Sequence, residues 1–439
     1  MKFCTSMLGL VLIAVSSAVV SSDISLPGNG VLQPPLHYQR YRRSEYKKDL
    51  PYYQWWYYWI RDTKNDRHFA VSYSITLCKN THIKSCDYDG VMVGVVVVDN
   101  KQNRRLQKYE FYDRNAFSVS QEFNFKIHSN TNETIHELLP IDNDKFIIRG
   151  NMTKENINNV WISEGCSKDL EIQWNLTLTR IYGWYAQDVF EVPDRWLDGM
   201  IMWNTYSHAA EVEGQIKIGD DLFIIEKENT SRAYGDSNWS ESMPSPPPDD
   251  QHSTKYVWGW YYVSIPADDK SEELSIIAGT GLSYADEVLG TMDGRFCDIR
   301  LDEKTHVELR MVKVLDLTFD SCNDGKLVRF DVERSNWFNI TDSFGYATIP
   351  LRQLVTLESD SYLITMDFNS VETNYNRLLF PFTSYVFSDF EGLGVSTNLL
   401  IIDKKTDTIV RNVTVNSGGL EYGYRFNITV PPPPNQRII

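Results

Sequence analysis

Tyr52-Tyr53-Gln54-Trp55-Trp56-Tyr57-Tyr58-Trp59 is a run in which every residue but Gln54 carries an aromatic ring. Rings favour a pleated backbone, on which neighbours point to opposite faces. Trp55, Tyr57 and Trp59 therefore look one way, and Gln54, Trp56 and Tyr58 the other. A strand with rings on both faces has company on both. Either two layers pack against it, or one set, Trp55 with Tyr57, lines a cavity for a large apolar ligand.

The same period of two continues outward from this run, in short stretches separated by Asn, Asp and Gly. Examples are 68–77, 91–98, 108–112, 146–150, 170–179, 200–206, 215–218, 222–226 and 257–265. The second half repeats the habit at 274–278, 307–314, 327–332, 362–368, 399–402 and 423–430. These are too many strands for a single eight-stranded barrel, which predicts an all-β chain of two tandem antiparallel β-barrels. The boundary falls at 240–254, where Pro244, Pro246, Pro247 and Pro248 would interrupt any ladder. The expected organisation is a first barrel within 23–250, a second within 251–430 and a proline-rich tail over 431–439.

Residues 1–22 read as a secretory signal: Lys2 is basic, Met7 to Val20 is apolar but too short to span a bilayer, and Val20-Ser21-Ser22 offers a cleavage site. No later stretch is long and apolar enough for a transmembrane helix. Secretion, or the lumen of the secretory pathway, is the expected location. Sequons at Asn132, Asn151, Asn175, Asn229, Asn339, Asn412 and Asn427 are glycosylation candidates. Two disulfides are expected, Cys78 with Cys86 around a polar stretch and Cys297 with Cys322, with Cys166 left over. A net charge of -16 argues against a nucleic-acid surface, which needs clustered Lys and Arg.

Two further stretches are dense in rings. Met200 to His208 includes Trp203 and Tyr206, and His208 reads as a structural strand histidine. Arg232-Ala233-Tyr234-Gly235-Asp236-Ser237-Asn238-Trp239-Ser240 is followed by Tyr256-Val257-Trp258-Gly259-Trp260-Tyr261. A carboxyl group among rings loses solvation when charged, so Asp236 is positioned to hold a proton and donate it. The alternative is that Asp236 and Asn238 satisfy backbone amides in a tight turn around Gly235. Neither zinc-ligand spacing nor a complete nucleotide-binding glycine motif is present, and no cofactor is expected.

Taken in order, these three stretches resemble a lipocalin-like enzyme family that includes carotenoid 1,2-hydratase, also called hydroxyneurosporene synthase, plant tocopherol cyclase, fungal Diels-Alderases and AttH-like proteins. Gln54-Trp55-Trp56-Tyr57 is similar to the family's Glu-Trp-Trp-Tyr strand. Tyr234, Asp236, Asn238-Trp239, Pro244 and Trp258-Gly259-Trp260 are similar to its central signature. The resemblance spans roughly Tyr52 to Tyr262. It implies two lipocalin-like barrels, a hydrophobic small-molecule partner, and alkene protonation with Asp236 as the acid. Trp55, Tyr57, Trp203, Tyr206, Tyr234, Asn238, Trp239, Trp258 and Trp260 would line the ligand site, and the rings could stabilise a cation by about 0.5–2 kcal/mol each. Gly235 and Ser237 stand where the family's hydratases carry histidines. Ser240 turns Asn238 into a sequon, and an inward, unmodified Asn238 is expected, since a glycan there would block the pocket.

Overall fold

The computed structural model describes residues between 52 and 429, apart from 78–88, 121–123, 130, 132, 143, 153–159, 163–170, 183–189, 195–198, 228–230, 241–256, 266–273, 287–289, 301–305, 315–316, 322–326, 343–344, 360, 373–374 and 382–384. For some strand residues, including Trp203, Tyr206, His208, Trp239, Trp258 and Cys297, the backbone alone is described. Cys78, Cys86, Cys166, Cys322, Asn132, Asn229, the 1–22 signal and the 431–439 tail lie outside the described residues.

The described chain is almost entirely β. A meander of β1 (Tyr52–Asp62), β2 (Arg67–Leu77), β3 (Asp89–Asp99) and β4 (Arg104–Asp113) opens the first sheet. One 3-10 turn, Arg114–Ala116, precedes β5 (Phe117–Val119), β6 (Phe125–His128), β7 (Thr134–Pro140) and β8 (Lys145–Met152). The sheet is completed by β9 (Val160–Ile162), β10 (Ile172–Tyr182), β11 (Phe190–Asp194), β12 (Gly199–Ile218), β13 (Asp221–Ile225) and β14 (Arg232–Ser240). Its main path runs β5-β6-β7-β8-β10-β12-β14-β1-β2-β3-β4-β9, so the first strand pairs with the last.

The second sheet begins with β15 (Val257–Ile265), β16 (Leu274–Asp286), β17 (Gly290–Arg300), β18 (His306–Val314) and β19 (Leu317–Ser321). It continues through β20 (Leu327–Asp342), β21 (Gly345–Ser359), β22 (Tyr362–Asn369), β23 (Tyr375–Pro381), β24 (Tyr385–Asp403) and β25 (Thr408–Thr429). Here β15 again pairs with the last strand, β25. All-β architecture with two barrel-like antiparallel sheets is thus what the alternation predicted.

Strand lengths differ from the sequence reading in an instructive way. The stretches 200–206 and 215–218 are one strand, β12, which runs through Gly214 at a φ of 135° with its pairing to β10 unbroken there. A Cβ at Gly214 would lie 2.2 Å from the Asn175 carbonyl oxygen, so only glycine fits this close approach. Likewise 399–402 is the end of the long β24, whose register shifts around Gly394 at φ 69°.

Each sheet wraps its own core. Trp56, Tyr58 and Ile60 of β1 join Phe69, Val93, Phe125, Ile148, Leu176 and Val212 inside the first. Tyr261 and Val263 join Ile276, Val355, Met366, Leu399 and Leu420 inside the second. The aromatic run is therefore buried on both faces, its even-numbered residues within the first barrel.

Candidate active site at the seam between the two sheets

The odd-numbered face of β1 looks away from the first core and meets the second sheet. Trp59 is fully buried, with ring centroids 6.3 Å from Trp260 and 5.5 Å from Tyr262 on β15. Because Tyr261 and Val263 point into the second core, Trp260 and Tyr262 must point outward from it, and they stack on each other at 5.6 Å and 7°. Tyr234 of β14 closes this wall at 5.1 Å from Trp260 and 4.9 Å from Tyr262. Gly419 on β25 lets the Trp59 ring approach, since a Cβ there would come within 2.4 Å of it.

Arg61, the next odd residue of β1, is also fully buried. Its guanidinium donates to the Ser264 carbonyl oxygen at 3.0 Å and to the Tyr262 hydroxyl at 3.3 Å, and lies 5.5 Å from the Trp59 ring centre. Arg61→Met keeps much of the side-chain volume but loses these charge-assisted bonds across the seam. It is expected to destabilise the chain by about 2–4 kcal/mol in urea unfolding.

Acidic groups gather beside the rings. Tyr57 and Asp236 are direct partners on β1 and β14, which places their side chains on the seam face together. Asp236 is 7% exposed, and its Oδ2 accepts the Tyr234 hydroxyl at 2.8 Å. From the second sheet, Trp260, Glu421 and Glu391 form a row across β15, β25 and β24. Glu391 is 3% exposed. Burial pushes its carboxyl well above the ordinary range, the Tyr57 hydroxyl pulls it back, and the charges of Glu421 and Asp236 raise it further. Burial likewise raises Tyr57, with the charges of Glu391 and Asp236 adding to it. Burial thus disfavours the charged form of both groups.

Among the described residues, the indole nitrogens of Trp59 and Trp260 are buried in this wall without a hydrogen-bond partner. An unsatisfied buried polar group costs about 1–3 kcal/mol. The seam therefore holds buried indole donors in an apolar setting.

The sequence-level candidates fall as follows. Trp55, Tyr57, Tyr234, Asp236, Asn238 and Trp260 lie on seam-facing positions, with Asn238 buried opposite Trp55. Trp203 and Tyr206 are on β12, Trp239 is near the end of β14 and Trp258 is on β15, with side chains outside the described residues. Asp236 is not in a tight turn: β14 pairs with β1 on one side and β12 on the other, so its local backbone amides belong to ladders. The rings belong to a surface between the two barrels, where the second sheet covers them. Glu391, Glu421 and Arg61 are the residues that sequence reasoning missed. Among the sequons, Asn175, Asn339 and Asn412 are exposed, and Asn151 is half-buried.

No family model matches the sequence, and no curated protein does. Among solved structures, the chain is similar to kievitone hydratase from Nectria haematococca, with 14% identity over 85% of this chain and 88% of that one, and a TM-score of 0.48. It is similar to an AttH-like protein (NE1406) from Nitrosomonas europaea, with 10% identity over 85% and 92% of the two chains and a TM-score of 0.41. CghA gives 8% identity over 85% and 88%, with a TM-score of 0.45. Likeness this distant carries no reaction across, so the functional reading rests on the seam residues alone.

Proposed function

We propose that the chain is an enzyme of the secretory pathway that protonates a carbon-carbon double bond in an apolar polyene, terpenoid or polyketide-derived substrate. Hydration, cyclisation or isomerisation follows from how the cation is quenched. The observation that supports this most is the meeting of buried carboxyl groups, Asp236 and Glu391, within a wall of Tyr57, Trp59, Tyr234, Trp260 and Tyr262. Acid chemistry of this kind works through side chains and requires no cofactor. The rings shield a cation from water and stabilise it through their quadrupoles. In this reading the two halves, 23–250 and 251–430, supply one wall each. Export is supported by the basic and apolar start of the sequence and by the exposure of Asn175, Asn339 and Asn412.

Native mass spectrometry of the protein purified from its own host tests this. A stoichiometric apolar adduct, together with glycan mass on the exposed sequons, is the expected result. A bare, unmodified chain would remove the ligand and the secretory parts of the proposal at once. A carrier built on the same seam would hold the adduct without converting it.

A further inference from the structure

The two carboxyl groups at the seam come from opposite sheets and sit in different settings. Asp236 receives a hydrogen bond from the Tyr234 hydroxyl, a contact that favours a carboxylate. Glu391 is buried directly opposite Glu421 on the neighbouring strand, so a charge there would face like charge in a poorly solvated space. The Tyr57 hydroxyl stands within hydrogen-bonding reach of it and is also the cross-strand neighbour of Asp236.

Resting on the functional reading above, we propose that Glu391 is the proton donor of the site, Asp236 the acceptor, and the Tyr57 hydroxyl the bridge that resets them. Glu391 gives its carboxyl proton to one carbon of the substrate double bond. The π pair becomes the new C–H bond, and the other carbon becomes cationic. A lone pair from water or from a substrate hydroxyl, or the electron pair of an adjacent C–H bond, quenches the cation. The proton released by that step goes to Asp236. The site then holds an ionised Glu391 and a neutral Asp236. Tyr57 accepts the proton from Asp236 while passing its own to Glu391, which restores the starting state. No electron is transferred, and the only co-reactant is the water of a hydration.

The test is infrared spectroscopy of the full mature chain at neutral pH, comparing the native protein with Glu391→Gln, Asp236→Asn and Tyr57→Phe. A protonated-carboxyl C=O band is expected in the native protein and in Asp236→Asn, and its loss in Glu391→Gln. In Tyr57→Phe the band should persist but move to higher frequency as a donated hydrogen bond is lost. Absence of the band in the native chain, its survival in Glu391→Gln, or its loss in Asp236→Asn would each overturn the assignment.

Stability provides a second measurement. A carboxyl group whose folded value is raised stabilises fully below its unfolded value of about 4.5 and loses that contribution as pH rises. Glu391→Gln, which cannot ionise, should therefore gain stability over the native chain between about pH 5 and pH 8 in urea unfolding, with the difference vanishing near about pH 4. A difference that does not change with pH overturns the proposal. Binding of cis-parinaric acid, followed by energy transfer from tryptophan, is measured in parallel. Its absence would count against the apolar-ligand reading, whereas the carboxyl band reports on the proton assignment alone.

Discussion

Replacing Asp236 with Asn is expected to lower turnover by about 10²- to 10⁴-fold, the usual worth of one positioned acid–base group. Asparagine has nearly the shape of aspartate, and its Oδ1 can still accept the Tyr234 hydroxyl now held at 2.8 Å. The ring wall stays in place, so affinity for the apolar ligand found by mass spectrometry should change by no more than about threefold. That split, with kcat lost and binding kept, is what an acid–base residue gives. A residue that only lines the site would raise Kd and leave kcat unchanged. Turnover that survives the substitution would remove Asp236 from the chemistry, whereas a native protein that binds the ligand and never converts it would be a carrier.

Trp59→Ala is expected to have the largest effect on stability, about 3–5 kcal/mol. The Trp59 ring is fully buried and is surrounded by Trp260, Tyr262, His68 at 5.7 Å and the Arg61 guanidinium. The backbone of β25 has little scope to collapse into the resulting void, because it is fixed by its ladders to β15 and β24. The loss should appear as two separated unfolding transitions in place of the single one expected of the native chain, since this ring belongs to neither barrel core. Fluorescence and near-UV circular dichroism followed through a urea titration would resolve them. A single transition at unchanged midpoint would mean that the seam contributes little to cohesion.

Fold class was readable because it depends on local periodicity. β1, β2 and β3 are buried along almost their whole length, and the opposite facing of Trp56 and Trp59 follows from the pleat alone. Strand lengths were not readable where glycine absorbs an irregularity, as Gly214 and Gly394 do. Asp236 could be singled out because its rings are sequence neighbours. Glu391 could not, since Phe390-Glu391-Gly392 reads as an ordinary strand with a solvent-facing acid. Its burial is created by Tyr57, which lies at the far end of the chain and reaches it only through tertiary packing. Arg61 was not singled out for the same reason: the Ser264 carbonyl and the Tyr262 hydroxyl, which take its guanidinium into the interior, are distant in sequence.

Glu391 and Glu421 belong to β24 and β25, which the chain completes only near its end, while Tyr57 and Asp236 are in place long before. A nascent or truncated protein lacking the later strands would carry its rings bare and its acids hydrated, a sticky but chemically silent intermediate. Under the proposed function, competence would arrive only with the last hairpin, β24 and β25, which would separate synthesis from reactivity. Two fragments nicked between residues 240 and 257 would regain that competence by re-associating in the test tube.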